Sequence, residues 1–208
     1  RRPKASPRHR DDNESRMPAP AAAPEPSDRT SSWFWGPYAG LGVRVALAYA
    51  QLEASSVKVV AFIGFPLGAA DADVKRYETE AAIDADAHEI EVVSNLGLLK
   101  DGQWKSFLRE LRDVVEAADE RPVCVTLETA LLTRDEILRA AELIVESGAQ
   151  AITTSTDFWP DVRVCADDVK LLREAVGPKF IVKAAGGIRE TFVQDNHSRS
   201  TRSVLRGL

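Results

Sequence analysis

Lys183, near the end of the run Phe180 to Arg189 (FIVKAAGGIR), is the residue whose type and setting most directly suggest chemistry. Phe180, Ile181 and Val182 are apolar and β-favouring, in a run short enough for a buried strand. A lysine late in such a strand loses hydration, so it points into a polar cleft or is paired. Gly186 and Gly187 let backbone approach a ligand and leave amide groups for an anion, as in phosphate cradles. Arg189 would add a cation to the same end. A strand ending in a solvated lysine and a flexible glycine turn fits the same residues. The upstream chain favours a site.

Composition narrows the classes. The chain has 208 residues, 44% of them hydrophobic, so it can bury one substantial core. Its net charge of -5 gives no general argument for binding nucleic acid or an anionic membrane. No apolar run approaches the roughly 20 residues of a membrane span. Cys124 and Cys165, the only two cysteines, suggest no disulfide framework, which fits a reducing compartment. His9, His88 and His197 are scattered without metal-ligand spacing, and His88 reads as an ordinary surface residue. The cytoplasm is the expected location.

The elements that must position Lys183 are legible from Val57 onward. VKVVAFIGFP (57–66) reads as a buried strand ending at a glycine-proline break. A helix follows from Asp71 to about Ala85, then the strand EIEVVSN (89–95). Trp104, Phe107, Leu108, Leu111 and Val115 recur at helical spacing, the pattern of a helix packing on a sheet. VCVTLET (123–129) is a strand. Thr133 and Glu136 form a capping box opening the next helix, and Gly148 ends it. AITTST (151–156) is a strand, 167–176 a helix, and Gly177-Pro178 a stop. Each repeat takes roughly 30 residues, the length of a βαβ unit. Asn95, Glu128, Thr129, Thr153 to Asp157 and Lys183 gather at strand C-terminal ends, the active-site face of a (β/α)₈ barrel. A doubly wound sheet is the alternative, but no dinucleotide-type glycine fingerprint follows the first strand.

Outside this region the sequence changes character. Residues 1–32, basic and then rich in Pro, Ala and Ser, read as a disordered tail. Trp33, Phe34 and Trp35 are either a buried anchor or an interaction surface. A strand remnant passing into a short helix is expected between Val43 and Ala54.

GFPLG (64–68), EIEVVSNLGLLK (89–100), LET (127–129), TTSTDF (153–158) and VKAAGGIR (182–189) together resemble deoxyribose-phosphate aldolase, in order and spacing. The resemblance covers roughly Val57 to Arg189. It implies a barrel enzyme, an aldehyde-lyase, that cleaves 2-deoxyribose 5-phosphate to glyceraldehyde 3-phosphate and acetaldehyde. It also implies a lysine Schiff base and neither metal nor organic cofactor. A nucleophilic lysine must be neutral at working pH, which burial and a nearby cation achieve, and a carboxylate-centred relay must move protons. By the resemblance, Thr153 stands where the Schiff-base lysine belongs, Cys124 where the relay lysine belongs, and Glu91 where the relay aspartate belongs. Lys183 matches the retained lysine that lowers the pKa of the nucleophile. Gly186, Gly187 and Arg189 match part of the phosphate site.

A threonine hydroxyl cannot form an imine. The expectation is therefore a catalytically degenerate family member that binds a phosphorylated sugar or a protein, with a homo-oligomer as one possibility. An active aldolase using Lys183 is the alternative, and a non-functional fragment of a longer chain a third. Residues 33–189 are read as an incomplete barrel whose first strands and eighth strand are missing or unrecognisable. Residues 190–208 are read as a polar, basic tail.

Overall fold

The computed structural model describes residues 40–41, 44–159, 164–186 and 201–203. The tail at 1–32, the aromatic run Trp33 to Trp35, Gly187, Arg189 and most of 190–208 lie outside them. Seven strands form one sheet in chain order, every neighbouring pair parallel. They are β1 (Gly40–Leu41), β2 (Val60–Ile63), β3 (Glu89–Val93), β4 (Val123–Thr126), β5 (Ala151–Thr153), β6 (Ile181–Ala184) and β7 (Thr201–Ser203). The helices between them are α1 (Val45–Leu52), α2 (Ala72–Asp84), α3 (Leu96–Lys100), α4 (Trp104–Ala117), α5 (Arg134–Ser147) and α6 (Ala166–Val176).

Local sequence explains the helix ends. The Asp71 carboxylate accepts the Asp73 amide at 3.0 Å and starts α2. Thr133 and Glu136 form the reciprocal capping box of α5, and Gly148 closes it at a φ of 93°. Along α4, Phe107, Leu111 and Val114 are buried, so the apolar stripe faces the sheet as the periodicity predicts.

Strand alternation then divides the residues between two environments. Ile90, Val92, Val125, Ile152 and Val182 join Phe107, Leu111 and Ile144 in the apolar core between sheet and helices. The alternate positions, Glu89, Glu91, Cys124, Thr126, Thr153 and Lys183, share the other face, and all are buried. That face is concave. Lys183 on β6 reaches Glu89 on β3 across three strand spacings, about 14 Å in a flat sheet, which only a curled sheet allows.

Several expectations change in detail. The strands are shorter than the apolar runs, because the chain leaves the ladder once the strand ends build loops. Leu127 and Glu128 lie beyond β4, with Glu128 left-handed at φ 58°. Asn95, read as a residue of the active face, instead caps α3 by accepting the Leu98 amide. His88 is half-buried rather than an ordinary surface residue; its Nδ1 accepts the Val59 amide at 3.0 Å, and its ring packs on Tyr49. No strand was expected after Arg189, yet β7 pairs alongside β6 there. Its polar residues hid it, since backbone pairing needs no apolar pattern. In the 43–54 region the helix forms, with the strand preceding it at β1.

Candidate active site

The register of the ladder assembles the site. Glu91 pairs with Cys124, Thr126 with Thr153, and Thr153 with Lys183. Four residues singled out in the sequence, Glu91, Cys124, Thr153 and Lys183, therefore meet on the concave face. Cys124 Sγ and Thr153 Oγ1 lie 3.0 Å apart, either able to donate to the other. Thr126 donates its hydroxyl to Glu91 at 2.8 Å, and the Lys183 ammonium donates to Glu89 Oε1 at 2.5 Å. The other Glu89 oxygen is buried and accepts no hydrogen bond from a described residue.

Glu89 and Thr126 were missed in the sequence. The signal was present: a two-residue strand period puts Glu89 on the same face as Glu91, and Thr126 on that of Cys124. What the period leaves open is which face is concave and polar, because both faces of a parallel sheet are covered.

Charge balance on this face sets the titration of its groups. Burial pulls the Lys183 ammonium down, but the Cys124 sulfur, once ionised at high pH, and the Glu89 and Glu91 carboxylates outweigh it, so Lys183 titrates above the ordinary lysine value. Burial raises Glu89 above the ordinary carboxylate range, against the pull of Lys183. Both shifts favour holding a proton, as expected where two carboxylates share one lysine. Burial also pushes the Cys124 thiol up to about 12, so it remains a thiol at neutral pH.

A second buried ion pair lies outside the concave face. Lys75 Nζ donates to Glu110 Oε1 at 2.7 Å and to the Val93 carbonyl at 2.9 Å, tying α2 and α4 to the end of β3. Here burial outweighs the attraction and moves both toward their neutral forms, Lys75 downward despite Glu110 and Glu78, and Glu110 upward despite Lys75. The GFPLG turn fits around this pair. Gly64 donates its amide to Glu78, and a Cβ on Gly68 would stand 2.0 Å from the Ser94 carbonyl oxygen.

At the rim, Glu128 accepts Ser155 Oγ at 2.8 Å, the Thr156 amide at 2.6 Å and the Thr156 hydroxyl. Thr154 Oγ1 donates to the Ala185 carbonyl and accepts its amide, joining the ends of β5 and β6. Gly186 adopts a φ of 107° close to Ser155 and Val164, which suits glycine. Gly187 and Arg189, the rest of the expected phosphate site, lie outside the described residues. Phe62, Phe65, Phe158 and Trp159 pack in series, with Phe65 and Phe158 joining the ends of β2 and β5. Among the described residues, no group of three or more His, Cys, Asp or Glu could hold a metal ion.

A curled parallel β/α sheet with polar side chains on its concave face defines the class as a (β/α)-barrel fold. The chain is 48% identical over 147 residues to the deoxyribose-phosphate aldolase of Exiguobacterium sibiricum, covering 70% of this chain and 66% of that protein. To the deoxyribose-phosphate aldolase of Streptococcus equi subsp. zooepidemicus it is 44% identical over 145 residues, with the same coverage of 70% and 66%. Among solved structures it superposes on QR15, an aldolase, with a TM-score of 0.67 and 34% identity, covering 71% of this chain and 66% of that one. The tetrameric deoxyribose phosphate aldolase of Aeropyrum pernix gives a TM-score of 0.65 and 29% identity, covering 72% of this chain and 63% of that one. No protein-family model matches the chain. The chain belongs to the deoxyribose-phosphate aldolase family. It spans 66% of the length of these curated relatives.

Proposed function

We propose that this chain is a binding member of the aldolase family, one that holds a phosphorylated sugar or a protein partner without forming an imine. The observation that carries this reading is the state of the amines on the concave face. Thr153 occupies the position that the resemblance gives to the imine lysine, and Cys124 that of the relay lysine. Lys183, the one lysine on that face of the described strands, is ion-paired with Glu89 and lies close enough to Glu91 to feel its charge. An ammonium has no lone pair to offer a carbonyl carbon. The VKAAGGIR segment, which by the resemblance keeps part of the phosphate site, supports retained recognition of a phosphorylated ligand.

Borohydride trapping with 2-deoxyribose 5-phosphate tests this. The folded protein should gain no substrate-derived mass at neutral pH. A reducible adduct on Lys183 would make the chain a working aldehyde-lyase of the family, the reading favoured by a buried lysine on the concave face. The tetrameric Aeropyrum pernix relative supports a homo-oligomer for this chain, and light scattering decides it. No helix among the described residues is long and apolar enough to cross a membrane, and a cytoplasmic location belongs to the same proposal.

A further inference from the structure

We infer that Glu89 is a charge lock on Lys183: its carboxylate holds the lysine as an ammonium and withholds the free amine that an imine requires. This rests on the reading that the unaltered chain forms no imine, and adds the residue that enforces it. The geometry is specific. Lys183 Nζ lies 2.5 Å from Glu89 Oε1, and both side chains are buried, so water does not screen the contact. Facing the ammonium from other elements are Glu91 on β3, itself held by Thr126, and the neutral thiol of Cys124 on β4. β7 places Arg202 level with Lys183 in the ladder. Of these, Glu89 alone makes a direct ion pair with the ammonium among the described residues.

The chemistry that the lock withholds is imine formation. Lys183 Nζ would first release a proton to solvent, then add its lone pair to a carbonyl carbon while the C=O π pair moves to oxygen. A proton passing from the nitrogen to that oxygen would give the carbinolamine, which would then lose its hydroxyl and the remaining N–H proton as water to give a C=N bond. Removing the Glu89 charge leaves burial opposed by one carboxylate fewer, so the neutral amine becomes accessible at lower pH. Glu89 is thus a positioning residue, acting through Lys183.

The test uses acetaldehyde as a small carbonyl probe and borohydride as reductant, which delivers hydride to the imine carbon and leaves a stable secondary amine. Unaltered protein and Glu89→Gln are labelled from about pH 7 to pH 11, and the Lys183 peptide is quantified by mass spectrometry. Glu89→Gln should label Lys183 on the order of tenfold more at pH 8, with its labelling curve moved to lower pH by about one unit. An unchanged curve in folded Glu89→Gln overturns the lock and leaves the binding reading standing. Labelling of Lys183 by 2-deoxyribose 5-phosphate in the unaltered chain at neutral pH overturns the binding reading itself. Should Glu89→Gln not fold, the unaltered chain still decides. With the lock in place Lys183 labels at higher pH than the exposed Lys105, and labelling at equal or lower pH overturns it.

Discussion

At the position where the family resemblance asks for an amine, Thr153 presents a hydroxyl 3.0 Å from the Cys124 sulfur. That contact is short and, with Cys124 a thiol, neutral. Thr153→Lys would return a second amine to the ladder position level with Lys183. Like charges in one buried space drive one of them neutral. The expected outcome is borohydride-trapped adduct from 2-deoxyribose 5-phosphate on the introduced side chain, measured against an unlabelled parent. The titration of Glu89 gives a second prediction. Its folded-state value lies above the ordinary 4.5, so the folded chain holds that proton more tightly than the unfolded one. Its contribution to stability is therefore largest at low pH and fades as pH rises from 4.5 through the raised value. Lys183, raised above 10.5, contributes fully below 10.5 and loses its contribution as pH passes its folded value. Urea midpoints between about pH 5 and pH 8 should fall less steeply in Glu89→Gln than in the parent.

Between elements, the Lys75–Glu110 pair and the glycine turn hold α2, α4 and the end of β3 together. Lys75→Met leaves the Glu110 carboxylate buried without its cation and should cost about 3–5 kcal/mol by urea unfolding. The double change Lys75→Met with Glu110→Leu should recover much of that, because no lone charge then remains buried. Gly68→Ala drives a Cβ to within 2.0 Å of a backbone oxygen, so a strand or the turn must shift, and a loss of about 3 kcal/mol or more is expected. Gly177→Ala meets nothing within 4 Å, so its cost should be backbone strain alone, about 1–3 kcal/mol for a residue other than glycine at φ 76° and ψ 176°. Gly68 and Gly177 both have positive φ, but only at Gly68 does packing forbid a side chain.

Across the whole molecule, the sheet is covered on one face by helices and curled over polar side chains on the other. β3 and β4 are buried at every position, whereas half of α1 is exposed. Amide hydrogen exchange should be slowest in β3 and β4 and much faster in α1, since protection follows burial of the paired backbone. Equal protection in α1 and β4 would contradict this picture of a rigid central sheet with a looser margin.

The strand and helix succession from Val60 to Val182 was legible because hydrophobic period and capping residues are local properties. Thr133 with Glu136, the stripe on α4 and the VKAAGGIR lysine were all readable from near neighbours. By the family resemblance, Thr153 and Cys124 stand where two lysines are expected, which is the basis of the proposed binding role. The partner of Lys183 was a different matter. Glu89 is distant in sequence and three strands away, and only the curl of the sheet brings the two charges to 2.5 Å. The Lys75 contact with Glu110 and Val93 likewise depends on how two helices sit against a strand end. Sequence by itself determined the element types, the family and four residues of the concave face, Glu91, Cys124, Thr153 and Lys183, but not Glu89 or Thr126. Tertiary structure alone decided which buried charges meet, because that depends on long-range register and curvature, and so decided that Lys183 pairs with Glu89.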